Sequence, residues 1–260
     1  MKAKTTANMP DQPSALEVDL LRLPSVQALL DLWERSRDEP LAVRALEVLV
    51  LALPDASRAR LEAFSVGERD RVLFWMRAQL FGKSMSSMVA CPACQESLEL
   101  EFNVNDVLVD APSPEPFEVR LKGQWVQVRV PNASDLVAIA SVRGAQAKQV
   151  LLERCVLSSS SRSGKHKPIR NAAMLEAINQ AMLRADPQAV VELQMRCPNC
   201  AHAWNALLDI TSYFWRELDA WAKRTLREVH WLARAYGWTE SQILALSPNR
   251  RRLYLELVNA

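Results

Sequence analysis

Two stretches decide the reading of this chain: VACPACQESLELEFNV at 89–104 and MRCPNCAHAWNALLDI at 195–210. Each carries a CPxC turn beside strand-like sequence. In the first, Leu98, Leu100 and Phe102 alternate with Glu99 and Glu101, the period of a half-buried strand. The two stretches form a weak internal repeat of strand, turn and strand, as in the two halves of a zinc ribbon. A two-residue gap lets both sulfurs of a CxxC turn reach one ion, and proline after the first cysteine fixes φ and shapes the turn. Cys91, Cys94, Cys197 and Cys200 therefore form a complete four-thiolate set for one structural zinc ion. With no ligand position left open, such a site is not catalytic. The 102 residues between the pairs (95–196) exceed an ordinary ribbon spacing. Ordinary buried thiols and a redox pair are the alternatives, but a thioredoxin-like motif is a single pair in a βαβ setting. Knuckles of this kind often place Gly after the second cysteine, where φ is positive; here the residues are Gln95 and Ala201.

Working outward, helical spacing marks Val26, Leu29, Leu30 and Trp33, then Val43, Leu46, Leu49 and Val50, with Pro54 as a stop. Ser65 and Glu68 form a capping box ahead of a helix that Gly82 ends. FEVRLKGQWVQVRV alternates around Lys122-Gly123 and reads as a hairpin. Asn132 or Ser134 caps the next helix, and further helices cover about 144–155 and 171–184. SSSSRSGKHKP at 158–168 reads as a flexible basic loop. At the C-terminus, Trp215, Leu218, Ala222, Leu226, Val229 and Ala233 mark one face of a long helix. Phe214, Trp221, Trp231 and Leu232 widen it, and Gly237 caps it. Thr239 with Gln242 forms a second capping box, and Ser247-Pro248 opens a last helix. The expected fold is α+β: a disordered tail (1–14), a helical region (15–88), zinc-ribbon-like halves (89–105 and 190–211), a hairpin-helix insertion (106–189) and a helical C-terminal region (212–260).

Composition narrows the function. Lys plus Arg number 32 and Asp plus Glu 30, a formal charge of +2 that gives no general pull toward nucleic acid or anionic lipid. No run of about 18 apolar residues is present, so no membrane span is expected. MKAKTTANMPDQPSA lacks the apolar core of a signal peptide, which points to the cytoplasm and reduced thiols. Cys155 falls on an apolar helix face and reads as a core thiol. His202 follows the second cysteine pair, while His166 and His230 read as solvated or packed. There is no phosphate loop, HExxH motif or nucleophile constellation to support an enzyme. Five tryptophans lie between Trp204 and Trp238. They serve the core, a partner surface or both, since Trp and Arg anchor protein interfaces. The partner-surface candidates are Trp221, Trp231, Trp238, Arg250, Arg251 and Arg252.

GERDRVLFWMRAQLFG (67–82), CPAC (91–94) and CPNCAHAWNALLDITSYFWRELDAWAKRTLREVHWLARAYGWTESQILALSPNRRRLYLELV (197–258) resemble the family of T4-type baseplate proteins or baseplate hub assembly chaperones. This family occurs with contractile phage tails and tail-like contractile injection systems. The similarity covers most of the chain from about residue 40, and HWLARAYGWTESQILALSPNRRRLYLELV (230–258) is its most specific stretch. Some members have the CPxC pairs and others lack them, so the resemblance implies a stabilising zinc rather than a shared activity. It implies a non-enzymatic role in building or capping a baseplate. The partners would be baseplate or hub subunits, not a small-molecule substrate, and the protein would be cytoplasmic or incorporated in the particle. The contrasting reading is a zinc-ribbon nucleic-acid-binding regulator. That function asks for a basic stripe with exposed aromatics, whereas the basic residues read as scattered along the sequence.

Overall fold

The computed structural model describes residues 20–159 and 171–258. The expected tail at 1–14 and residues 160–168 of the basic loop, His166 included, lie outside the described residues. The fold is α+β, with small antiparallel sheets among helices. No helix among the described residues is long and apolar enough to cross a membrane.

Four helices come first: α1 (Val26–Ser36), α2 (Leu41–Ala52), α3 (Arg58–Ala63) and α4 (Val66–Phe81). The Ser65–Glu68 capping box starts α4, and Gly82 ends it with φ at 90°. β1 (Ser84–Ala90) and β2 (Ser97–Asn103) form a hairpin around the first cysteine pair, followed by the short α5 (Val104–Val107). A second unit follows: β3 (Phe117–Leu121), β4 (Gln124–Val128), α6 (Ala133–Ile139), α7 (Ala145–Cys155), β5 (Val156–Ser159) and α8 (Ala172–Ala185). Lys122 and Gly123 take φ of 49° and 77°, the left-handed pair that a two-residue hairpin turn needs. β6 (Val191–Arg196) and β7 (Ala203–Leu208) frame the second cysteine pair. β7 runs into α9 (Ile210–Tyr236), which precedes α10 (Glu240–Leu244) and α11 (Pro248–Val258).

Helices from both ends of the chain share one core. Leu32, Leu46, Leu49, Leu61, Phe74 and Met76 pack with Ile210, Phe214 and Leu218 of α9. Further along α9, Ala222, Val229 and Leu232 meet Leu30, Ile243 and Leu244. The long helix departs from the expected face at two places. Leu226 is 38% exposed and Ala233 is half-buried, while Thr225 and Leu232 point inward. The buried row 214, 218, 222, 225, 229, 232 keeps the 3-4 step of one helix face, and Leu226 lies beyond its edge.

The middle unit has its own small core of Val119, Val126, Val128, Met174 and Ile178. β5 completes its sheet, and α3 and α5 are further elements that apolar spacing does not single out. Asp135 is fully buried and accepts from both Arg129 and Arg154. Burial works against its charge, but the Arg129 guanidinium, the Asn132 amide and Arg154 together hold its carboxyl below the usual range. Cys155 is buried beside this pair, and burial pushes its thiol up to about 12, so it is an inert core group as expected.

This unit joins the main core at the start of α4. Val66 donates to the Pro131 carbonyl and Ala133 to the Phe64 carbonyl. The buried Gly67 amide donates to Asp186 at 2.9 Å. A Cβ at position 67 would lie 1.9 Å from Asp186 Oδ1 and 3.0 Å from Gln188 Cβ. Glycine is required here by close approach, and its backbone is ordinary helix. Gly67→Ala should therefore destabilise the protein by about 1–3 kcal/mol, the usual cost of overpacking, read as a lower urea midpoint. A wild-type midpoint would mean that the Asp186 contact is soft.

Candidate metal centre

The two hairpins present the same knuckle. β1–β2 closes at Ala90 opposite Ser97, and β6–β7 closes at Arg196 opposite Ala203. Inside each, the first cysteine's amide donates across the turn: Cys91 to the Glu96 carbonyl at 2.8 Å and Cys197 to the His202 carbonyl at 2.9 Å. The residue after the second cysteine donates back, Gln95 to Cys91 and Ala201 to Cys197, both at 2.9 Å. That bond turns the backbone left-handed, with φ of 63° at Gln95 and 58° at Ala201. The sequence motif expects glycine at these two positions, and the backbone adopts the glycine conformation without it.

All four Sγ atoms lie within 4.8 Å of one another. Cys91 and Cys200 are 3.7 Å apart, and Cys94 and Cys197 are 3.6 Å apart, so the short contacts cross from one hairpin to the other. A tetrahedron of sulfurs each about 2.3 Å from one ion has an edge of roughly 3.8 Å, so the spacing fits a single four-coordinate metal. Cys91 and Cys197 are buried, while Cys94 and Cys200 are nearer solvent. Burial alone would raise the Cys91 thiol. The Cys94 and Ala93 amides aimed at its sulfur, with the Cys94 and Cys200 thiols, together outweigh that and lower it to about 7. At Cys200 the His202 amide favours the thiolate, but burial and the neighbouring thiols push it up to about 12. Metal ligation takes thiolates, so a cation bound at this site would favour the ionised form of its cysteine ligands. Asn199 Nδ2 adds a long contact of 3.8 Å to Cys94 Sγ across the hairpins. His202 stacks on Trp204 at 5.9 Å and is not part of the sulfur cluster.

The α4–α9 junction holds the two hairpins in place. Arg77, near the end of α4, grips Glu217 of α9 with two bonds of 2.7 and 2.8 Å. It also donates to the Gly82 and Ser84 carbonyls where the chain enters β1. Tyr213 of α9 donates to the Ser86 carbonyl and accepts from the Ser86 amide. Asp209 caps α9 directly after β7. Arg77, Tyr213 and Glu217 carry no motif in the sequence, and Asn199 is the unspecified position of the second CPxC turn.

The other predicted positions separate. Trp221 is half-buried between the two core clusters. Trp238 stacks on Tyr236 at 4.6 Å and meets Tyr254 edge-on at 4.9 Å. Trp231 is 48% exposed. Arg250 and Arg252 are exposed, whereas Arg251 is buried, pairing with Glu228 at 3.1 Å and donating to the Leu246 carbonyl. Arg251 therefore belongs to the packing of α11 on α9 and offers no surface to a partner. The 100° turn between helical neighbours sends the middle arginine inward.

The fold and this cluster define an α+β protein in which two cysteine knuckles meet at the base of a long helix, with four thiols that could hold a metal ion. The family described as T4 bacteriophage base plate protein matches residues 43–215, from α2 to the first turns of α9, and the chain belongs to that family. The C-terminal stretch 230–258 lies outside that match. No curated protein and no solved structure matches.

Because a left-handed side chain costs about 1–2 kcal/mol relative to glycine, Gln95→Gly and Ala201→Gly should each stabilise the protein by up to about 1 kcal/mol. The measurement is the urea midpoint of the metal-loaded chain; a loss of stability would mean that these side chains make contacts that outweigh the strain.

Proposed function

We propose that this chain is a non-enzymatic structural or assembly component of a contractile phage tail or tail-like injection particle. Its four cysteines hold one structural zinc ion in a zinc-ribbon-like clasp. The observation that carries this reading is the closure of four sulfurs, from knuckles at opposite ends of a long insertion, inside the stretch that matches the baseplate family. Four thiolates at single-ion spacing leave no exchangeable position, which suits a structural rather than a catalytic metal. Soft sulfur ligands in a tetrahedron favour zinc. Iron is the competing metal, and elemental analysis separates the two.

The partners on this reading are other baseplate or hub subunits. Trp231, the outer edge of the Trp238 stack, Arg250 and Arg252 offer the exposed aromatic and guanidinium groups that anchor protein interfaces, while Trp221 and Arg251 support that region from within. Met88 (63% exposed) and Leu207 (72%) add apolar points on the two hairpins. A chaperone-like subunit would use these contacts transiently, and a resident subunit would keep them in the particle.

Two measurements test the proposal. Protein purified without chelator should contain one zinc per chain. Cys197→Ser should lose it and lower the melting temperature while the helical core persists; a metal-free native protein would remove the clasp from the reading. Deletion of the gene from a tail-producing host should leave tails without functional baseplates, with rescue by the wild-type chain. Intact, infective or contractile particles in its absence would refute the assembly role.

A further inference from the structure

The outer face of α9 gathers basic residues that lie scattered in the sequence. Positions 216, 220, 223, 227, 230 and 234 follow the alternating 4-3 step that places residues on one line of a helix. They hold Arg216, Ala220, Lys223, Arg227, His230 and Arg234, and all six are exposed. Arg224 and Trp231 flank the line on one side and are exposed too. The row runs roughly 27 Å at 1.5 Å per residue, and no acidic residue stands on it. Two of the three acidic groups of α9 are engaged off the row, and the third pairs with a member of it. Glu217 is held by Arg77, Asp219 pairs with Lys223, and Glu228 pairs with Arg251. Among the described residues, Arg216, Arg224, Arg227 and Arg234 have no ion-pair partner; Arg216 lies over Tyr213 and Arg234 over Trp231.

A merely solvated helix face mixes signs at i,i+3 and i,i+4, where opposite charges attract and like charges repel. Here Asp219–Lys223 is one mixed pair, while Lys223–Arg227 and Arg224–Arg227 set like charges at those spacings. Arginine predominates over lysine, and its planar fork matches a carboxylate or phosphate with two parallel bonds.

We propose that this face of α9 docks an acidic helical segment of another protein subunit. The proposal rests on the assembly reading and gives that reading a partner chemistry. Basic groups seven residues apart recur every 10.5 Å or so along the helix, the interval at which a second helix presents its own heptad-spaced carboxylates. The exposed face of Trp231 supplies an apolar anchor beside the charges. A nucleic-acid backbone is the less suitable occupant. The groove at Arg216 is also lined by Glu99 and Glu217, carboxylates that a continuous run of phosphates would meet and that isolated partner carboxylates can avoid.

The probes for the full chain are a synthetic helical peptide with glutamates at its 4-3 positions and a 20-base-pair DNA duplex, both at about 150 mM salt, where weak surface attraction is screened. The peptide should bind, and the double charge reversal Arg227→Glu with Arg234→Glu should weaken it at least tenfold without changing the melting temperature. Arg60→Glu with Arg143→Glu, exposed positions away from α9, should leave peptide binding unchanged. Peptide binding that ignores the first double variant overturns the proposal. So does duplex binding that is tighter than peptide binding and lost in that variant, which would make the row a nucleic-acid surface. Co-expression with the neighbouring tail genes separates the levels. Normal incorporation of Arg227→Glu with Arg234→Glu sinks the docking face alone, whereas failure of the wild-type chain to support assembly sinks the reading beneath it.

Discussion

Arg77 is 3% exposed and carries five N–H donors that burial obliges the fold to answer. Its partners span two parts of the chain: on α9, Glu217 and the Tyr213 ring at 5.5 Å, and at the exit from α4, the carbonyls of Gly82 and Ser84. These bonds fix the direction in which β1 leaves α4, measured against the helix that β7 enters. The first knuckle hangs from β1, and the second leads through β7 into α9. The meeting of four sulfurs is thus prepared by one guanidinium at the hairpins' base, before any metal chemistry. Tyr213 repeats the arrangement one pleat along, bonding both backbone groups of Ser86. A metal held at the tips would close a loop of 102 residues (95–196). By loop-entropy reasoning, a link of that span removes about 4–5 kcal/mol of freedom from the unfolded chain, if the native geometry is unstrained.

The insertion enclosed by that loop folds around a different buried charge. Asp135 on α6 holds together Arg129, from the segment before that helix, and Arg154, from the last turn of α7. Its neighbour contacts at Pro131 and Ala133 then seat the unit against the start of α4, where Asp186 caps the Gly67 amide from the far end of the insertion. The middle unit is tethered at both ends of its own length to one turn of helix. Its placement therefore does not depend on the knuckles, and the chain can carry a long insert between the cysteine pairs without separating them.

The parts of this fold legible in the sequence are those written by local chemistry. Ser65 with Glu68 and Thr239 with Gln242 are capping boxes in the structure as in the pattern, and of the two caps expected for α6, Asn132 or Ser134, the structure uses Asn132. Lys122-Gly123 turns the hairpin. The four cysteines gave the site, because CxxC spacing constrains geometry within a single turn and the repeat supplied the second half. Elements set by tertiary contact were not legible. β5 is a short run whose strand character comes from pairing with β4, and α3 is a six-residue helix wedged beneath α2. The Arg77 junction, the Asp135 hub and the Gly67–Asp186 contact join residues far apart in sequence, and a single sequence contains no statement of that proximity. Arg250, Arg251 and Arg252 illustrate the limit. As letters they are equivalent, and only the packing of α11 on α9 decides that the middle one is interior.

The basic row on α9 belongs to the same lesson in reverse. Counted over the whole chain, charges cancel to +2, and the arginines look dispersed. The fold sorts them. Of the three carboxylates of α9, Glu217 and Glu228 are drawn to buried arginines on other elements, and Asp219 pairs with Lys223 on the helix itself. Glu217 is drawn toward α4 and Glu228 toward α11 because Arg77 and Arg251 are buried and need them. The interior demand for carboxylates thus draws Glu217 and Glu228 aside and leaves cations in line on the outer face. Net charge reports the sum of these populations, while a partner meets only the one left outside.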